Sequence, residues 1–276
     1  MIDERIEDVD FDLLNEEISE AAEYIKEDDY DSAKEIIEEL LEEYKDIYKE
    51  DENERYFCFD SPVSYYVYDM LFSPKKIIRP SKIDYRTFYT CLGQIDIAYE
   101  DYENAEEKLK EALYWNPVDS NIFFLLGKIY IKRNELSKLA IILKAVRNYI
   151  LDKISYAKYY SYLGYYYMLK EDYKTALSLF YVSESIYETN MTKNGIEEIL
   201  NEKECHMNAP ATEEVIETLK NDGFSYGLND EILGMIYDLS YEMQKNLNTK
   251  GALYCLSILY ELTGDEKYER EKEYLS

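Results

Sequence analysis

The one histidine, His206, follows directly on Cys205 in the stretch Glu204-Cys205-His206-Met207. A nucleophilic Cys needs a base brought against its sulfur by the fold, and neighbours on a helix point in different directions. The pair therefore reads as an ordinary thiol beside an ordinary imidazole, with a hydrolase or transferase site there as the minor alternative. A single His excludes every mechanism or metal site that needs two. The four Cys, at 58, 91, 205 and 255, form neither a CxxC pair nor a structural zinc set. Acidic pairs such as Asp28-Asp29, Glu38-Glu39 and Glu42-Glu43 could supply a general acid and a general base. Among 59 Asp and Glu, however, such pairs arise by chance and line solvated helix faces. No Gly follows the Asp positions of DDYD, as an EF-hand loop would require. Walker, dinucleotide-fingerprint, nucleophile-elbow and HExxH patterns are all absent from the sequence. The expectation is a non-catalytic protein with no cofactor and no metal.

Charge narrows the partners. The 276 residues carry a net −28 with a pI near 4.4, a field that repels phosphate and disfavours general binding to nucleic acid or anionic membrane. The distribution is uneven. Residues 1–54 hold 24 acidic and five basic side chains, whereas residues 128–158 hold eight basic side chains against Glu135 and Asp152. The opening MIDERIEDVD lacks the basic start and apolar run of a signal peptide, and the most apolar window, IFFLLGKIYI, is too short to span a bilayer. A soluble, cytoplasmic chain with reduced thiols is expected. Tyr is abundant, 32 against one Trp, and implies a thin core of rings with polar tips.

The elements that carry these residues repeat. Leu92-Gly93, Leu126-Gly127 and Leu163-Gly164 set the glycines 34 and 37 residues apart. Four residues before each Gly stands an aromatic, Tyr89, Phe123 or Tyr160. Three after it come Asp96, Tyr130 and Tyr167, and nine after it Tyr102, Leu136 and Tyr173. At twelve come Ala105, Leu139 and Ala176; at sixteen Leu109, Leu143 and Phe180; at nineteen Ala112, Val146 and Ser183. Pro117 closes the first unit. This pattern resembles the tetratricopeptide repeat, a 34-residue pair of antiparallel helices. The small residues belong where paired helices approach most closely. Asp96 and Leu139 depart from the pattern, and Ala140 beside Leu139 raises the prospect of a shifted second helix.

The resemblance implies an all-α fold, a right-handed α-solenoid of antiparallel helix pairs. Its expected segments are an acidic, divergent helix pair over 1–54 and an irregular Pro/Tyr-rich connection with a short helix from Val63 to Phe72 over 55–85. Three repeat units then fill 86–190. Irregular helices with a degenerate C-terminal cap fill 191–276, where Leu256-Ser257 reads as the start of a first helix.

In this family the first helix of each pair lines a concave groove that receives an extended peptide or a partner's helix. Carried onto this sequence, that face selects Gln94, Asn121, Phe124, Lys128, Lys132, Lys158, Tyr162 and Tyr165. The implied function is a scaffold that binds a protein or peptide, with an acidic segment or chain terminus as the ligand. Two alternatives stay open. The lysines could balance the chain's own acidic helices, or residues 1–54 could act as an acidic decoy that captures a basic nucleic-acid-binding protein.

Overall fold

The computed structural model of the chain describes residues 2–202 and 211–275. These residues form fourteen α-helices and two short strands, divided between two compact units, Met1–Ile129 and Tyr130–Ser276. The division falls inside a helix and does not coincide with any of the segment boundaries expected from sequence.

In the first unit α1 (Phe11–Lys26) and α2 (Tyr30–Tyr44) form a hairpin. Each starts on an Asp whose carboxylate accepts from first-turn N–H groups, Asp10 from Asp12 and Leu13, and Asp29 from Ser32. Their buried faces, Leu14, Ala21, Ile37, Leu40 and Tyr44, share one apolar cluster with Ile83, Tyr85, Phe88 and Cys91. The acidic segment is thus welded to the body of the unit by its apolar stripe while its carboxylates face solvent.

Residues 54–80 hold an arrangement the sequence did not suggest. β1 (Glu54–Phe57) and β2 (Ile77–Pro80) pair in parallel, Glu54 opposite Ile77, with α3 (Pro62–Phe72) as the crossover. Ser61 caps α3 ahead of Pro62, and the helix ends at Ser73 in the left-handed region, φ 43°. Phe57, Phe59, Tyr68 and Phe72 stack between strand and helix. Then come α4 (Tyr85–Ala98), α5 (Tyr102–Trp115) and α6 (Ser120–Lys132), the last continuing into the second unit.

The second unit continues with α7 (Leu136–Val146), α8 (Lys153–Leu169), α9 (Tyr173–Ile186), α10 (Asn190–Glu202), α11 (Thr212–Asn221), α12 (Asp230–Lys245), α13 (Thr249–Thr263) and α14 (Glu266–Leu275). Leu139 of α7 is fully buried and Ala140 only half so. Leu139, not Ala140, thus takes the buried position.

One turn recurs five times across the chain. Asp28, Glu100, Asn134, Glu171 and Leu247 all adopt φ between 54° and 62°. The N–H of each next residue reaches back five positions, as Asp101 to Asp96 and Asn248 to Met243, at 2.8–2.9 Å. The left-handed residue itself donates three positions back, as Glu100 to Ile97 at 3.1 Å. This is the paired bond set of a Schellman ending. Seven residues before each turn residue lies Ala21, Gly93, Gly127, Gly164 or Ser240, every one buried. Five after it lies Ala33, Ala105, Leu139, Ala176 or Ala252.

The reason for the small residues is direct. A Cβ on Gly93 would lie 2.8 Å from Leu109 of α5, and one on Gly164 2.6 Å from the Phe180 ring of α9. The fifth member is α12 with α13. Leu256 lies on α13, which also packs on the polar α14 after Gly264 (φ 67°) turns the chain.

Candidate functional site

Asn121, Lys128 and Lys132 are exposed on α6, the two lysines one helical turn apart on one side of the helix. Neither lysine makes an ion pair among the described residues. Much of the remaining basic stretch is spent internally. Arg133 and Lys138 both pair with Glu135, at 2.9 and 2.8 Å. Arg147 donates to the carbonyls of Gly227 and Leu228 at 3.0 and 2.6 Å, and Lys144 lies 5.2 Å over the Phe224 ring.

The other expected groove residues scatter. Gln94 on α4 and Lys158 on α8 are half-buried. Phe124 and Tyr162 are only 3% and 6% exposed, so an incoming chain meets neither ring, and both leave the candidate set. Tyr165 is committed elsewhere. Its hydroxyl donates to the Met191 carbonyl of α10 at 3.2 Å, its ring meets the Phe180 ring edge-on, and burial pushes its phenol up to about 12. The physical reason is α10, which packs on α8 and joins the Ser161 hydroxyl to that of Thr192 at 2.7 Å. Residues 191–202 carry no repeat spacing, so nothing in the sequence announces this cover.

The Tyr run of α8 has a structural use. The loop 222–229 folds back onto it: Tyr159 donates to the Ser225 carbonyl at 3.3 Å, and the Gly227 N–H donates to the Tyr160 hydroxyl at 2.9 Å. Tyr167 donates to Asp222 at 2.8 Å, and Tyr166 meets Phe224 edge-on. Burial works to raise the Asp222 carboxyl, but Lys170 at 2.6 Å and the Tyr167 hydroxyl outweigh it and hold the group below its usual range. Rings that could have been a ligand surface are anchors for a loop about sixty residues away.

The fifth hairpin supplies residues that the sequence reading missed. Counted from the small residue of each first helix, Tyr237, Tyr241 and Lys245 of α12 hold the register of Phe124, Lys128 and Lys132. Tyr237 and Tyr241 are exposed. The available signal was Ser240 with Ala252, Leu256 and Leu259 at the later offsets. It is hidden because Ser replaces Gly and Ile236 replaces the aromatic.

On α2, Asp31, Glu35, Glu38, Glu39 and Glu42 line an open depression of about 420 Å³ with Lys34 as the one cation. Cys58, Cys91 and Cys255 are buried thiols, each pushed up to about 11 by desolvation. Cys205 and His206 lie outside the described residues. Among the described residues no group of three His, Cys, Asp or Glu could hold a metal ion, and no helix is long and apolar enough to cross a membrane.

No protein-family model matches the chain, and no curated protein matches it.

Proposed function

We propose that the chain is a non-catalytic, cytoplasmic scaffold of the tetratricopeptide type, a right-handed α-solenoid that receives an acidic peptide segment or chain terminus on its first-helix face. The observation that carries this reading is the pair Lys128 and Lys132, exposed and without an ion pair among the described residues in a chain of net charge −28. Five hairpins with one turn geometry and one small-residue register support the family assignment.

The chain's overall negative charge does not forbid an acidic ligand. Exposed charges are screened over about 8 Å at physiological salt, so the local lysines set the sign that a docking peptide meets. Calorimetry with acidic peptides compares the native chain with Lys128→Glu/Lys132→Glu. A loss of at least tenfold in affinity supports the proposal, and an unchanged affinity defeats it.

A second reading has its own observation, the carboxylate-lined depression on α2. There the partner is a basic protein. Deleting residues 1–54 would remove half of an apolar cluster, so the appropriate variant is Glu35→Gln/Glu38→Gln/Glu39→Gln/Glu42→Gln. If that variant captures a basic nucleic-acid-binding partner as well as the native chain does, the decoy reading fails.

A further inference from the structure

A cleft of about 270 Å³ lies between α12 and α14, lined by Tyr237, Tyr241 and Gln244 on one side and Glu271, Tyr274 and Leu275 on the other. Pockets for whole small molecules begin at roughly 300 Å³, so this one is sized for a single side chain. Its chemistry is that of a receptor for a cation. Glu271 is half-buried and makes no ion pair among the described residues; the Tyr237 hydroxyl donates to its Oε1 at 3.0 Å and leaves the carboxylate with acceptor capacity to spare. The neighbouring carboxylates Glu242 and Glu269 differ, each holding a lysine at 2.8 and 2.9 Å.

The rings around Glu271 are presented to solvent, Tyr241 at 58% exposure and Tyr274 at 89%. The chain's own lysines already sit over two of them, Lys245 Nζ 4.5 Å from the Tyr241 centroid and Lys267 Nζ 5.8 Å from that of Tyr237. These rings therefore hold positive charge against their faces. α12 carries Asp230, Glu231, Asp238 and Glu242 against Lys245, and α14 carries Glu266, Glu269, Glu271 and Glu273 against Lys267, Arg270 and Lys272, so the two walls together are net negative.

We infer that the α12–α14 cleft is a binding site for one cationic side chain, an arginine of a partner peptide. A planar guanidinium can stack on a Tyr ring while donating in parallel to both Glu271 oxygens, which an ammonium cannot do. The Gln244 amide carbonyl offers a further acceptor on the opposite wall. This site shares no residue with the α6 face and does not depend on its lysines.

The test uses the full chain in physiological salt, with an acetylated, amidated Gly-Arg-Gly peptide and its citrulline counterpart, which has the same shape without the charge. Binding is followed by NMR of the tyrosine ring signals. The arginine peptide should saturate a single site with shifts on Tyr241 and Tyr274, and Glu271→Gln should weaken it at least tenfold. Tyr241→Leu should weaken it about threefold, and Lys128→Glu/Lys132→Glu should leave it unaltered. Glu271→Gln keeps an acceptor for Tyr237, so the helix packing is preserved. Equal binding of the citrulline peptide, or a change below twofold in Glu271→Gln, overturns the inference.

Discussion

Adding one methyl group at two glycines should change stability by clearly different amounts. In a helix interior Gly→Ala is worth about 1 kcal/mol in backbone propensity. Gly234 lies on α12 with nothing within 4 Å of the new Cβ, so Gly234→Ala should stabilise by about that amount. At Gly164 the same methyl would lie 2.6–2.8 Å from three atoms of the Phe180 ring. The ring cannot retreat freely, because Gly195 of α10 approaches it as closely, with a would-be Cβ at 2.4–2.7 Å. Overpacking of this kind costs about 1–3 kcal/mol. Since the propensity gain is common to both variants, they should differ by about 1–3 kcal/mol, with Gly234→Ala the more stable. Urea unfolding followed by circular dichroism gives both values, with the slope against denaturant checked for constancy. Phe180→Leu should then soften the Gly164→Ala penalty, giving a double variant better than the sum of the singles. A Gly164→Ala chain as stable as Gly234→Ala would mean that α8 and α9 do not meet as closely as the hairpin geometry requires.

Other consequences can be measured separately. Leu247 is 90% exposed yet held at φ 59°; Leu247→Gly should raise stability by about 0.5–1 kcal/mol by relieving the left-handed strain, and a loss would contradict the assigned turn. Asp51 accepts from the N–H groups of Asn53 and Glu54, which hold its carboxyl at about 2. Its folded value lies below the unfolded one, so its stabilising contribution is present above the ordinary carboxylate range and fades as pH falls toward 2. Carboxyl NMR through that window should show a midpoint near 2, and a midpoint near 4 would remove the assigned bonds. In a Cys205→Ser background, the thiols of Cys58, Cys91 and Cys255 should react with a disulfide reagent at neutral pH only after unfolding. Fast reaction in the native state would refute their burial.

What the residues disclosed in advance depended on how local the determinant was. Gly93 and Gly164 announced the close helix contacts because a missing side chain has one local cause, and the contacts to Leu109 and Phe180 follow from the fixed spacing of one hairpin. Leu139 was read as a departure from the small-residue pattern, and it is Leu139, not the neighbouring Ala140, that is fully buried. The fifth hairpin stayed hidden because Ser240 and Ile236 substitute for the marker residues and Leu247 takes the left-handed position that usually signals itself with Gly or Asn. β1 and β2 are four residues each, too short for an alternating pattern. The binding face was the least legible part. Tyr165 and Tyr162 sit at face positions in the repeat register, yet the cover supplied by α10 and the return of residues 222–229 to α8 are long-range events that no local spacing encodes.

The central claim, that α6 reads acidic charge in a peptide, is tested most directly by a charge swap. Calorimetry would pair the native chain and Lys128→Glu/Lys132→Glu with one acidic peptide and with the same peptide carrying lysines in place of its acidic residues. The account predicts that the acidic peptide loses at least tenfold, about 1.4 kcal/mol, on the variant, while the basic peptide gains on it. Affinities that follow the peptide's charge but ignore the substitution would show that the lysines of α6 are not the reading surface.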